Sequence, residues 1–262
     1  MPEAIQPINA QNMRQRIKSY SSSPGSLILA FLVGLAALIT VLTLVFIIGY
    51  ILVKGIPSLS TDLFQLEYNS ENVSMFPSII NTILMTVLSL VIAGPLGIFA
   101  AIYLVEYAKK GNKLVSIVRV TAETLTGIPS IVYGLFGMLF FVTTLKWGFS
   151  MLAGAFTLAI MVLPVIMRTT EEALLAVPDM YREASFGLGA GRLRTIFVVI
   201  LPSAVPGILS GVILSIGRIV GETAALMYTA GTVAELPSSV MSSVRTLSLH
   251  MYTLASEGLH ID

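Results

Sequence analysis

Long uncharged apolar runs, separated by short polar segments, set the organisation of this chain. No position from Leu27 to Val53 is charged. A second run extends from about Ser78 to Val105, with Gly94-Pro95 near its middle. A third covers Ile128 to Leu145 and a fourth Ser150 to Met167. A fifth begins near Pro202 and reaches about Ala230, although it contains Arg218 and Glu222. A bilayer core about 30 Å thick takes roughly 20 apolar helical residues to cross, so the pattern predicts five spans. The first run is longer than a signal-peptide core and has no small-residue cleavage site, so it is expected to stay as a span. Pro95 removes a backbone donor and crowds the preceding turn, which predicts a kink. Only Lys146-Trp147-Gly148-Phe149 separate the third and fourth runs, a tight hairpin with an interfacial tryptophan. After Gly231 no run is long enough to cross. Met241, Val244, Met251 and Leu254 recur there at helical spacing and predict an amphipathic segment in the interface. Leu114 to Thr126 alternates apolar residues with Arg119 and Glu123 and reads as an interfacial helix ahead of the third span.

Composition agrees with this pattern: 55% of the 262 residues are hydrophobic and 11% charged, with a mean hydropathy of +0.89. Soluble domains carry roughly 25% charge, so a soluble enzyme is disfavoured. A net charge of +1 leaves no basic excess for nucleic acid. With no cysteine, disulfides, thiolate metal sites and cysteine nucleophiles are excluded. The two histidines, His250 and His260, cannot build a metal cluster alone. The distribution of lysine and arginine gives an orientation. Arg14, Arg16 and Lys18, then Lys109, Lys110, Lys113 and Arg119, then Arg168, Arg182, Arg192 and Arg194 fall on one side. Only Lys54, Lys146 and Arg245 fall on the other. The expected layout is a cytoplasmic N-terminal tail (1–26), a transmembrane domain (27–230) with a cytoplasmic loop (168–195), and an extracytoplasmic or interfacial tail (231–262). Glu106 reads as an ordinary interfacial charge at the end of the second span.

The segment Arg168 to Thr195 is too rich in features for a passive connector. Asp179 follows Pro178 and is placed to cap a short helix. Gly187, Gly189 and Gly191 then offer a turn without side-chain bulk, suited to close approach of another backbone. These residues describe a docking knob or, on local composition alone, a flexible glycine linker. No strand precedes the glycines and their spacing is wrong for a dinucleotide loop.

Two charges interrupt the last span. Arg218 and Glu222, four apart, would share a face of one continuous helix. A charge at the bilayer centre costs at least about 2.5–3.5 kcal/mol and faces a bundle interior or a water-filled path. Ser215, Gly211 and Gly207 continue the same stripe. Gly207/Gly211 and Gly217/Gly221 are both G-x-x-x-G pairs, which permit close helix approach. The pair reads either as a structural salt bridge or as part of an anion pathway, where the planar arginine fork suits a tetrahedral oxyanion. Asn81 and Thr82, with Thr86 and Ser89, form a polar stripe on the second span that could contact a hydrated anion or serve helix packing.

Glu183-Ala184-Ser185, Gly189 and Val199-Ile200-Leu201-Pro202 resemble the EAA motif of ABC-importer permeases, with Ser185 and Val199 as mild departures. The resemblance implies an all-α integral membrane protein, a polytopic helical bundle of the type I ABC-importer permease class. It implies that Asp179 to Ala190, including Arg182, Glu183, Ala184, Ser185, Gly187 and Gly189, is a coupling helix seated in a cytoplasmic ATPase. No Gly-Lys pair exists to build a P-loop, so no cofactor is expected on this chain, and ATP and Mg belong to the partner. Arg218-Ile219-Val220-Gly221-Glu222 also resembles the Arg-x-x-Gly-Glu element of oxyanion permeases. Gly221 through Gly231, with Thr126 through Leu135, is similar to phosphate-importer permeases of the PstA type. The expected substrate pathway joins Arg218 and Glu222 of the Arg-x-x-Gly-Glu element to Ser215, Asn81 and Thr82 of the polar stripes. The PstA-type family implies a PstC-type permease, a PstB-type ATPase dimer and a PstS-type phosphate-binding protein as partners, with the lipid bilayer. Its pattern continues with a further apolar span after Ser256-Glu257-Gly258, which this sequence, ending at Asp262, does not include. Sulfate or molybdate permeases share Arg-x-x-Gly-Glu and are the alternative. A membrane enzyme is disfavoured, because no span holds a catalytic cluster.

Overall fold

The structure is a computed structural model that describes residues 24–69, 72–109 and 111–257. Arg14, Arg16, Lys18, Lys110 and His260 lie outside the described residues. Helices α1 (Pro24–Gly55), α2 (Phe76–Tyr107), α3 (Lys113–Thr126), α4 (Ser130–Thr144), α5 (Met151–Leu175), α6 (Asp179–Gly187), α7 (Arg192–Val220), α8 (Ala224–Met227) and α9 (Leu247–Glu257) follow in order. Among the described residues there is no strand.

The chain divides into two units, residues 1–60 and 61–262. In the first, α1 is apolar all round, as a lipid-facing span is. In the second, α5 is the axis. It packs against α2 on one side and α7 on the other, and 67% of its most apolar stretch is buried. Among the described residues, four helices are long and apolar enough to cross a membrane, or five if the bent pair α3–α4 counts as one. The bend is 103°, which fits α3 lying along the interface before α4 turns inward.

Between helices in lipid, close van der Waals approach drives packing more than apolar burial does. Small residues make that approach possible. A Cβ on Gly207 would fall 2.6 Å from Ala173 Cβ, and one on Gly211 would collide with Thr169 Oγ1. The first G-x-x-x-G pair is thus the α7–α5 contact. Gly217 has open space around it, and Gly221 meets only a carbonyl of its own turn; the second pair is no helix contact within this chain.

Two apolar clusters fill the unit. One joins Met85, Leu158, Met161, Ile166, Ile219, Leu226 and Leu249. The other, at the end carrying the basic loops, joins Ile102, Leu104, Leu174, Val177, Ile196 and Ile200.

The last span differs from expectation at both ends. It starts ten residues early, at Arg192, and stops at Val220 instead of Ala230. The chain from Gly231 to Thr246 then folds back as a strap over the far end of the bundle. Its Ser242 and Val240 carbonyls accept from Met151 N and Leu152 N at 2.9 Å each. Those are the first N–H groups of α5, which have no partner within the helix. Gly231 makes the fold-back possible: its φ is +93°, and a Cβ there would collide with Ser243 Oγ.

Candidate functional site

At the basic end, α5 runs on to Leu175, and Pro178 then starts α6. Asp179 is the first residue inside α6, and its carboxylate makes no capping bond. It pairs instead with Arg182 at 3.1 Å, while still placing negative charge in the first turn, where the helix dipole favours it.

Arg182 is the anchor of the segment. Its Nη2 lies 2.7 Å from Glu106 Oε1, with side-chain exposures of 15% and 9%. Nη2 also donates to Leu174 O and Nη1 to Val177 O, both at 2.9 Å. One guanidinium therefore closes the carbonyl end of α5 and ties α6 to the end of α2. Glu106 is a half-buried anion held in this ion pair and not the ordinary interfacial charge expected. Ser185 and Thr195 share a hydroxyl contact of 2.8 Å, which fixes α6 against the start of α7. Glu183 and Ala184 face outward.

The outer face of this segment is apolar. Met180 is 67% exposed and Leu188 89%, with Tyr181 and Phe186 beside them. Gly189 turns the chain with φ +81°, whereas Gly187 and Gly191 have ordinary backbone angles. Of the three glycines only Gly189 is conformationally required. The segment is thus a rigid base with an exposed apolar tip, and a flexible linker has no such base.

Nearby, Arg119 pairs with Glu171 at 2.5 Å, and Arg168 reaches Glu123 at 3.4 Å and Glu172 at 3.3 Å. The Arg119–Glu171 and Arg168–Glu123 pairs hold α3 against the same end of α5.

The expected Arg218–Glu222 ion pair does not form. Because α7 ends at Val220, Glu222 lies beyond the helix and off the Arg218 face. It is buried and accepts a hydrogen bond from Ala225 N at 3.0 Å, capping the short α8. Arg218, half-buried in the last turn of α7, has no carboxylate within 4.0 Å among the described residues. The negative end of the helix dipole favours its charge there. That charge also acts on Tyr133 of α4, whose hydroxyl donates to Leu125 O.

The other expected pathway residues are engaged in packing. Ser215 is buried against α5 and donates to Gly211 O at 2.9 Å. Asn81 Nδ2 donates to Glu235 O at 3.0 Å and Arg245 O at 3.3 Å. Thr82 Oγ1 accepts from Leu247 N at 2.9 Å. Asn81 and Thr82 thus seat the strap on α2. The amphipathic helix expected here forms only in part: Met251 and Leu254 lie in α9, whereas Met241 and Val244 lie in the irregular strap, held by backbone hydrogen bonds that residue spacing does not encode.

With this geometry in place, comparison with known proteins is informative. Residues 93–255 match the family described as binding-protein-dependent transport system inner membrane component. A probable ABC transporter permease, YqgI of Bacillus subtilis, is 34% identical over 86% of this chain and 82% of its own. The phosphate transport system permease PstA of Pasteurella multocida is 42% identical over 71% of this chain and 67% of its own. That of Haemophilus influenzae is 32% identical over 92% and 86%. Among solved structures, the inward-facing MetNI methionine ABC transporter superposes with a TM-score of 0.51 at 21% identity, covering 70% of this chain and 79% of that one. This last likeness is one of fold.

Proposed function

The chain belongs to the binding-protein-dependent transport system inner membrane components, the permease subunits of ABC importers, and on that premise we propose that it carries inorganic phosphate inward as a PstA-type subunit. The observation that carries the substrate assignment is Arg218, a half-buried cation without a carboxylate partner among the described residues. It stands in a chain 32–42% identical to proteins named as phosphate permeases. A guanidinium left unpaired at the end of a span offers two parallel N–H donors to an incoming oxyanion.

The positive-inside rule makes the end bearing Lys109, Lys113, Arg168, Arg182, Arg192 and Arg194 cytoplasmic, and the N-terminus with it. The tip at Met180 and Leu188 then meets an ATPase of the PstB type, which holds ATP and Mg. A PstC-type permease completes the channel, and a PstS-type protein delivers phosphate to the opposite end. Closure of the ATPases moves α6, and the Arg182–Glu106 pair passes that motion to α2, giving alternating access without catalysis on this chain. The alternative is transport of another oxyanion, sulfate or molybdate, through the same arginine.

The test is uptake of labelled phosphate, sulfate and molybdate by the complex reconstituted in liposomes. Phosphate uptake that depends on ATP supports the assignment. Carriage of sulfate or molybdate with no phosphate uptake overturns it.

A further inference from the structure

We infer that the end of the bundle under the strap holds a binding site for a partly protonated tetrahedral oxyanion, with Arg245, Thr246, Ser78 and His250 as donors and the Asn81 side-chain carbonyl as acceptor. The inference rests on the phosphate reading above and names a second residue set for the same substrate, apart from Arg218.

Buried polar atoms nearly always have hydrogen-bond partners, and each one left without costs about 1–3 kcal/mol. Among the described residues, the buried side-chain atoms without one are Ser78 Oγ, Asn81 Oδ1, Arg245 Nε, Thr246 Oγ1, the ring nitrogens of His250, whose one near polar neighbour is the Val73 backbone, and Thr170 Oγ1. All but the last belong to one neighbourhood. Asn81 bonds the Arg245 carbonyl, Thr82 bonds both Leu247 N and the Ser78 carbonyl, and His250 N bonds the Thr246 carbonyl. The Tyr68 ring touches Arg245 at 5.1 Å and His250 at 5.6 Å. Such a concentration of orphans is what a polar site without its ligand leaves behind.

The charge points to an anion. Arg245 is 5% exposed and has no carboxylate within 4.0 Å among the described residues; the Tyr68 ring is its one partner. An uncompensated buried charge is strongly destabilising, and a bound anion removes that penalty.

Asn81 supplies the discrimination. Its Nδ2 is spent on two backbone carbonyls, which fixes the amide orientation and leaves Oδ1 as a buried acceptor without a donor. Phosphate near neutral pH carries at least one P–OH to donate, and sulfate carries none. A site built around such a hydroxyl rejects the analogue that lacks it. Ser248 Oγ donates to the Val220 carbonyl, two residues past Arg218, so the site adjoins the end of α7 that carries Arg218.

The test uses the reconstituted complex with inorganic phosphate as the probe, in phosphatidylcholine nanodiscs for melting and in phosphatidylcholine liposomes for uptake. Ser78→Ala and Thr246→Val each remove an orphan hydroxyl at nearly constant shape. If the site is real, each raises the phosphate concentration for half-maximal thermal stabilisation, and the KM for uptake, by about tenfold. Without phosphate, their melting temperatures stay equal to or above that of the wild type. Arg245→Gln should abolish the phosphate-dependent stabilisation; if it fails to fold, the two hydroxyl variants decide. Wild-type phosphate dependence in both hydroxyl variants overturns the site while leaving phosphate transport intact. Uptake of sulfate without phosphate overturns both readings. Stabilisation by phosphatidylglycerol alone, lost in the same variants, would assign the groups to a lipid headgroup and overturn the proposal.

Discussion

Gly189 sits at φ +81°, with nothing within 4 Å of where its Cβ would stand. A side chain there costs roughly 1–2 kcal/mol in backbone strain, paid locally in an exposed turn. Gly189→Arg is therefore expected to insert and fold, yet to lose transport-coupled ATP hydrolysis, because a bulky cation replaces the smooth edge beside Leu188. Full coupled hydrolysis in that variant would refute docking at this turn. For Arg218, charge alone is not sufficient if the fork is what recognises the anion. Arg218→Lys should lower phosphate uptake at least tenfold with assembly unchanged; unchanged uptake would reduce Arg218 to a helix-end cation. His250 gives a pH signature. Burial, and next the Arg245 charge, push its pKa down to about 4, against a weaker opposite pull from the Val73 backbone. Tyr68 and Arg245 are the titratable groups facing it. The native ring is neutral, so the unfolded chain binds the extra proton between its ordinary pKa of about 6.5 and 4. Stability is then complete above pH 6.5 and falls on acidification toward pH 4, by at most about 1.4 kcal/mol per unit. Melting temperatures of the wild type and His250→Gln from pH 7.5 to 4.5 check this, since the variant should lose that part of the slope. At this scale the sequence misled in one respect. Spacing put Arg218 and Glu222 on one face only for a helix that persists, and whether a helix persists past Gly221 depends on packing that spacing does not encode.

Among the elements, α6 was legible because its signals are local: Pro178 at the start, acidic residues in the first turn, a glycine at the end. Its mounting was not, because Glu106 is remote in sequence and reads like any interfacial carboxylate. The Arg182–Glu106 pair is largely shielded from solvent, so loss of one partner should be felt. Glu106→Leu is expected to destabilise by about 1–3 kcal/mol, since Arg182 then keeps only the exposed Asp179 as counter-charge. Arg182→Met with Glu106→Leu should recover much of that stability while leaving uptake impaired, because an apolar contact packs but does not hold α6 in one register. Thermal denaturation in detergent beside uptake assays separates the two effects. Recovery of both in the double variant would make the pair a packing feature alone. The span limits were legible to within a few residues for α2 and α4, whereas α5 runs eight residues past the expected Met167. The limits slipped by ten at each end of α7, where the apolar run and the helix do not coincide.

For the molecule as a whole, the fold class followed from uncharged runs long enough to cross a bilayer, a constraint that few other sequences satisfy. The strap could not be read in the same way. It is held by carbonyls that accept from the open end of α5 and by Asn81 and Thr82 of α2, and backbone acceptors leave no trace in residue type. One further feature of the long helices has a mechanical meaning. The last turn of α2 and the stretch Ile196–Ile200 of α7 are wound as π turns, one on each side of α6. Each holds one residue more than an α turn, as a slack link does in a chain drive. Removing Val198, which is exposed, would take up that slack in α7. The π turn would close to an α turn, so the segments on both sides keep nearly their present facing while the give between them is lost. Such a deletion should leave a permease that assembles in the membrane with its tip in place, hydrolysing ATP without carrying the stroke across α7. Normal coupled uptake by the deletion variant would show that the link carries no motion.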